Sequence, residues 1–519
     1  MSQDMKTIKN MTLIEIKGRA ALCLLLSLAA LCVPSCHGKL DIVQDNRLTA
    51  SNMWKTEKHV ETSVNDIYAK MRKNFVQDNV SMMHWGELRV GPYMWGYSRV
   101  NKIYTAKEVL ENNMTSSSAS CKWGQLYNVI DQANAVLKYA PGSSISMSES
   151  RRCWALGQAH FARAYAYFWA VRVWGDVPLN LAPIESVDQP ETYPVRAPQE
   201  DVYEQIERDI AAAVSYAGYL GNDKYLATKD AVNMLKAEFA LWCWSCRGHD
   251  DSWLEMADEA LAAIGIKSGD PRLMSDYSKV FDGRGTKNKN SAEVVFALQN
   301  DQSYQLTGGV SGYFTFATAA VKKEWQSAPV PIGGTQYLDY GDGFLQKLRD
   351  SRDRNGDRRV ETNLGEGPYG QNEALNGGIL TWPNKYIGDL SSGNMVKDAD
   401  MIYYRYALAV MMCAELRYRQ GRYQDALSCL NMIAFRAYGR DNFYTDASPS
   451  AVMDALVNEY FLEFPCEGVI WWALIRLDRI WDYNESLKAR RNDTNILLWP
   501  IHKDSRSKNP KLTQTEGWY

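Results

Sequence analysis

A series of stretches in which apolar residues return at helical spacing constrains this chain to a mainly α-helical fold. They run over 57–75, 122–140, 150–174, 198–217, 227–247, 252–265, 400–419, 422–437 and 449–464, and several are joined into pairs by short turns. In "CAELRYRQGRYQDALSCLNMIAFRA" (413–437), Gly421 ends one helix, and Tyr423 with Ala426 lets the next pack closely on it. In "ALGQAHFARAYAYFWAVRVWG" (155–175), alanines 155, 159, 162 and 166 leave room for a neighbouring helix while aromatic rings fill the other faces. Glu200 and Asp201 give the 198–217 stretch an acidic first turn.

Gly421, Tyr423, Ala426 and Leu427 match the tetratricopeptide register, and 235–264 and the pair 150–174 with 198–217 have a similar shape. Pairs of this kind suggest a helical repeat. The helical pattern breaks at 76–121 and 275–398, which are rich in Gly, Asn, Asp, Ser and aromatic residues; within the second, 293–299 reads as a strand. A repeat scaffold with long insertions usually places its binding site on them. The stretch "WGELRVGPYMWGYSR" (85–99) sets two Trp and two Tyr around a Gly91-Pro92 turn. Trp85 is expected to pack inward, whereas rings beyond the turn are candidates for an exposed platform.

The first 36 residues read as a leader: Lys6, Lys9, Lys17 and Arg19, then the apolar "AALCLLLSLAALCV" (20–33), then "VPSC" (33–36), which resembles a bacterial lipobox. Cys36 is the expected lipidation site, so the membrane would be met through a lipid and not a span. The formal net charge of −3 gives no basic footprint for nucleic acid. Seven cysteines remain after Cys36, an odd number, and most sit in helical apolar patterns as small buried hydrophobes. "WCWSC" (242–246) resembles a thioredoxin-type motif but falls at a helix C-terminus, where the dipole opposes a thiolate. A buried pair or local disulfide is expected there.

Several motifs in order resemble the SusD/RagB family of outer-membrane nutrient-binding lipoproteins. They are "LDIVQDNRLTASNMWKTEKHVETSVNDIYAKMR" (40–72), "WGELR" (85–89), "ARAYAYFWAVRVWGDVPL" (162–179), "SAEVVFALQ" (291–299), "NEYFLEFPCEGVIWWALIRLDR" (458–479) and "LWPIHKDSRSKNPKLTQTEGWY" (498–519). The chain departs from the family pattern after Glu459 and at Val469 and Ala473. The resemblance implies a mainly α fold of four tetratricopeptide-like helix pairs in a curved α/α scaffold, carrying a large irregular region with short strands. It divides the chain into a signal peptide (1–35), an N-terminal helical region (36–274) with a ligand-loop insertion (76–121), a variable insertion (275–398) and a C-terminal region completing the scaffold (399–519). It implies a lipoprotein at the outer membrane, exposed on the cell surface, partnered with a SusC-like TonB-dependent transporter and without catalytic activity. The ligand would be a glycan, with a peptide as the alternative. Matching positions for the ligand are Tyr93, Trp95 and Tyr97 in the first insertion, and Tyr304, Tyr313 and Trp325 in the second.

Two other chemistries were weighed. "DSRDRNGDRRVE" (350–361) offers Asp353, Asn355 and Asp357 around Gly356 as calcium oxygens. However, Ser351 holds the first loop position, no Glu stands at the twelfth, and the run carries several arginines, so no cofactor is expected. A glycosidase needs two carboxylates facing across a cleft. Glu459, Glu463 and Glu467 recur every four residues and are expected to share one helix face.

Overall fold

The computed structural model describes residues 53–518, apart from 79–80, 92–93, 96–105, 143, 190–191, 282–287, 305, 328–329, 372–377, 387, 389 and 392–393. Its main helices are α1 (Glu57–Arg72), α2 (Gly124–Tyr139), α3 (Glu149–Trp174), α4 (Gln199–Ser215), α5 (Lys229–Cys246), α6 (Asp251–Ile264), α7 (Asp342–Asn355), α8 (Tyr406–Arg419), α9 (Tyr423–Tyr438), α10 (Pro449–Glu463) and α11 (Ile470–Arg476). Side chains cap several starts: Thr56, Ser148, Thr228 and Asp250 each accept a backbone N–H of the first turn of α1, α3, α5 and α6. Helix α1 packs on α2, α3 on α4, α5 on α6 and α8 on α9, while α2–α3, α4–α5, α6–α8 and α9–α10 contacts join the pairs. This is the paired scaffold read from the periodicity. Helix α3 is buried on nearly every face from Cys153 to Trp174, as its mix of alanine and aromatic residues requires.

The strands are short: β1 (Met94–Trp95), β2 (Val294–Leu298), β3 (Asp339–Tyr340), β4 (Leu364–Gly367), β5 (Leu380–Pro383), β6 (Leu390–Ser391), β7 (Asn394–Met395) and β8 (Met401–Arg405). They pair antiparallel as β1 with β3, β2 with β8, β4 with β5 and β6 with β7. The expected helix over 400–419 therefore starts only at Tyr406. Residues 401–405, "MIYYR", run as β8 because β2 offers them a partner and both faces are buried.

The second insertion also holds a helix that periodicity missed. The calcium candidate falls on it: 350–355 close α7, and Gly356 ends it in the left-handed conformation (φ 69°). The Asp357 carboxylate is taken by Arg359 (Nε 2.9 Å, Nη2 2.9 Å) and by the Ser351 hydroxyl (2.8 Å). These are helix-end contacts, not a cation loop, and no metal-holding cluster of His, Cys, Asp and Glu occurs among the described residues.

Glu459 and Glu463 lie on α10, but Glu467 lies in the turn beyond it, so the expected single helix face is corrected. Phe464 caps the helix, and the chain turns through Cys466 and Gly468, both at positive φ. The three carboxylates nevertheless meet in one buried ion network. Arg405 donates to Glu293 (2.8 Å), Glu463 (2.6 Å) and Glu467 (2.6 Å); Arg436 reaches Glu293 (2.8 Å) and Glu463; Arg359 reaches Glu459 (2.6 Å); and Lys385 reaches Glu467 (2.6 Å). Each of these charges faces at least one of opposite sign, the condition under which buried ions are tolerated.

No disulfide joins the seven described cysteines. In the last turn of α5 Cys243 is buried but Cys246 is exposed and no bond joins them, which corrects both the buried pair and the local disulfide; burial pushes the Cys243 thiol up to about 12. That is the reverse of the activation a redox motif needs. Among the described residues no helix is long and apolar enough to cross a membrane.

Candidate functional site

The first insertion is fixed at its base by the residues of "WGELR". Trp85 is buried and donates its indole N–H to the Ser120 carbonyl (2.9 Å), so it packs inward as expected. A Cβ on Gly86 would stand 2.4 Å from the Gly468 carbonyl oxygen, so only glycine allows the two backbones to meet. Glu87 is fully buried and accepts the Gly468 N–H (2.7 Å) and the Glu467 N–H (3.2 Å). Burial pushes its carboxyl up to about 8. Arg89 donates to Asn112 (2.7 Å) and to the Leu497 carbonyl (2.6 Å), with its guanidinium 4.6 Å from the Trp471 ring. Two motifs far apart in sequence, "GELR" and "EGVIW", thus interlock.

From this base the chain turns at Gly91 (φ 100°) and enters β1, where Met94 pairs with Tyr340 and Trp95 with Asp339. The backbone of Trp95 is therefore seated against the second insertion, while its side chain lies outside what is described. Tyr93, Tyr97 and Cys36 lie outside the described residues altogether.

The second insertion brings rings together in two groups. In the first, Trp325 is 42% exposed and packs on half-buried Tyr369 (centroids 4.8 Å). Tyr369 contacts buried Trp382 (6.4 Å), and Trp382 contacts buried Phe316 (5.8 Å). Backbone bonds hold this graded stack: Lys322 N–H to the Tyr369 carbonyl (2.8 Å) and Gln371 N–H to the Ala320 carbonyl (3.1 Å). Glycines of β4 make room for it. A Cβ on Gly365 would be 2.0 Å from the Trp382 ring, and one on Gly367 2.0 Å from the Tyr369 ring. In the second group, half-buried Tyr313 meets Tyr337, 39% exposed (6.3 Å), and His84 of the first insertion (6.1 Å). The His84 ring also bonds the Tyr313 hydroxyl (3.3 Å) and the Ser120 hydroxyl (2.7 Å). Tyr337 lies just before β3, so this group sits at the β1–β3 junction.

Tyr304 stands on a separate turn closed by Asp301 and Leu306, and its ring is 71% exposed. It takes part in neither group. The structure thus unites Trp325 and Tyr313 with rings that had not been singled out, Tyr369 and Tyr337. A signal for Tyr369 was present: "GPY" occurs at 91–93 and again at 367–369.

A surface of this kind offers flat apolar faces with backbone and amide groups at their edges. Residues 40–241 match a family described as starch-binding and associating with the outer membrane, and residues 269–518 match the SusD family. The chain belongs to the SusD/RagB family. SusD-like protein P38 of Formosa agariphila is 22% identical over 544 residues, covering 98% of this chain and 99% of the relative. A SusD-like protein of Bacteroides ovatus is 25% identical over 281 residues, 53% of this chain and 49% of the relative. Among solved structures, Bacteroides fragilis NanU is similar at 25% identity and a TM-score of 0.75, covering 92% of this chain and all of that one. A SusD superfamily protein of Bacteroides fragilis, 23% identical with a TM-score of 0.74, covers 90% of this chain and shares its fold. The mainly helical architecture with few short strands is that of the SusD superfamily.

Proposed function

We propose that this SusD-family protein captures a glycan on its exposed rings and delivers it to a SusC-like TonB-dependent outer-membrane transporter. The observation that carries the reading is Trp325, an exposed indole buttressed from behind by Tyr369 and Trp382. A sugar ring presents one face of C–H groups that packs on such an indole, while its hydroxyls bond at the edges. Because the stack is held before ligand arrives, little ordering entropy opposes binding. On this proposal Tyr93, Trp95 and Tyr97 of the first insertion and Tyr304 of the second are further ligand contacts. In this reading Cys36 carries the lipid that anchors the chain at the cell surface. No catalytic group is needed. Glu459, Glu463 and Glu467, the recurring carboxylates of the C-terminal region, are buried and committed to arginine and lysine.

The test is affinity capture of the membrane-embedded transporter by the lipidated chain, together with a panel of glycans and peptides applied to the soluble form that begins after Cys36. Glycan binding lost in Trp325→Ala supports the reading. Binding of peptides alone would replace the ligand class, and absence of any barrel partner would remove the delivery role.

A further inference from the structure

The helix pair α8–α9 places two thiols sulfur to sulfur: Sγ of Cys413 and Sγ of Cys429 are 3.4 Å apart. The other described cysteines whose contacts are known face different groups. Cys121 donates to the Thr115 carbonyl, Cys153 to Glu149, and Cys466 lies against the Tyr340 hydroxyl. Cys413 is buried on the inner side of α8, whereas Cys429 is half-buried on α9. Both helices are held from outside the pair: Arg417 of α8 makes two bonds to Asp258 of α6 (3.0 and 2.9 Å), and Asn431 of α9 bonds the backbone of Tyr444 (2.9 Å in each direction). The two sulfurs are thus held near one another by the fold itself and not by chance of side-chain rotation.

We infer that Cys413 and Cys429 form a disulfide that staples the α8–α9 helix pair once the chain meets an oxidising protein dithiol–disulfide partner. The half-exposed Cys429 meets the partner first. Its thiolate attacks one sulfur of the partner's disulfide and expels the other as thiolate, giving a mixed disulfide. Cys413 then attacks Sγ of Cys429, the new S–S bond forms, and the partner leaves as a dithiol. Two electrons pass to the partner, and the two protons given up by the cysteines end on its sulfurs. Cys413 already stands 3.4 Å from the Cys429 sulfur that it attacks, which suits it to the resolving role. Closure in the cell rests on the export proposed above; closure in the test tube does not.

The reduced, folded protein is equilibrated with mixed reduced and oxidised glutathione, alkylated, digested and mapped by mass spectrometry. The expected result is one linked peptide pair containing Cys413 and Cys429, lighter by two hydrogen atoms, with Cys243 and Cys466 still alkylated. The oxidised protein unfolds at higher urea than the reduced, and reductant abolishes the difference; in Cys429→Ser, reductant has no effect on the midpoint. Full alkylation of both thiols after oxidation of the wild-type protein overturns the inference, as does a bond to any other cysteine. Alkylation in intact cells separates the two readings. A closed pair there supports export as well, whereas a pair that closes only in the test tube upholds the staple and removes the export reading.

Discussion

Trp95 stands opposite Asp339 in the β1–β3 ladder, and the buried Asp339 carboxylate accepts the Thr381 hydroxyl (2.6 Å) and the Tyr340 N–H (2.7 Å). One short pairing therefore ties the aromatic loop of the first insertion to β3, and through Thr381 to β5, which carries Trp382. Asp339→Ala leaves the Thr381 hydroxyl buried without this acceptor. The expected cost is about 1–3 kcal/mol in urea unfolding, together with weaker glycan binding. A variant with unchanged stability and affinity would show that the ladder does not position the loop.

Gly367 lies under the Tyr369 ring that supports Trp325. Gly367→Ala drives a methyl group into that ring, so the stack must tilt. The expected outcome is roughly a tenfold loss of glycan affinity, about 1.4 kcal/mol, with the fold retained by circular dichroism. Affinity equal to wild type in a titration would uncouple Tyr369 from the platform.

Arg405 is fully buried among Glu293, Glu463 and Glu467. Arg405→Met leaves three carboxylates short of their shared cation. Removing one partner of such a network costs about 3–5 kcal/mol. A loss under about 1 kcal/mol in chemical unfolding would contradict the role given to the network.

Acid should unfold the protein through the same kind of pairing. Burial alone would raise the Glu415 carboxyl, but Arg476 and Arg419 overcome it and hold the group at about 2, against its usual 4.5. Arg436 and Arg405 depress Glu463 in the same way against its burial. A depressed folded pKa gives stability that is full above the unfolded value and is lost as pH falls through the folded one. The contribution of these two carboxylates to the urea midpoint should be full above about pH 5 and be lost steeply toward pH 2, whereas Glu87, whose buried carboxyl is held up at about 8, adds a slope of opposite sign between about pH 8 and pH 5. In Glu415→Gln the level is lower and the fall shallower; an unchanged acid limb would remove Glu415 from the account.

The scaffold was legible because most of its helices bury apolar faces at a fixed period, and that period survives in α4, α6 and α9 whatever the insertions do. Helix α7 was not legible: "DGFLQKLRDSRDRN" is mostly charged, and only Phe344, Leu345, Leu348 and Ser351 turn inward. The strand β8 was hidden because "MIYYR" runs straight into a helix and declares itself only through its partner β2, over a hundred residues earlier. Trp325 could be picked from the sequence as an aromatic on an insertion. Its supports could not, since Tyr369 and Trp382 reach it through β4 and β5 and not through neighbouring sequence. Trp85 and Trp95 look alike in the quoted stretch. That Trp85 packs inward follows from the close approach of Gly86 to Gly468, a contact between segments almost four hundred residues apart.

The most direct test of the central claim is calorimetric titration of the soluble chain with the best glycan of a panel, beside Trp325→Ala and Trp95→Ala. The platform reading predicts that each variant stays folded and loses at least tenfold in affinity, since one stacked ring contributes about 1–2 kcal/mol. Full affinity in both variants would contradict it, and the ligand would then have to bind away from these rings.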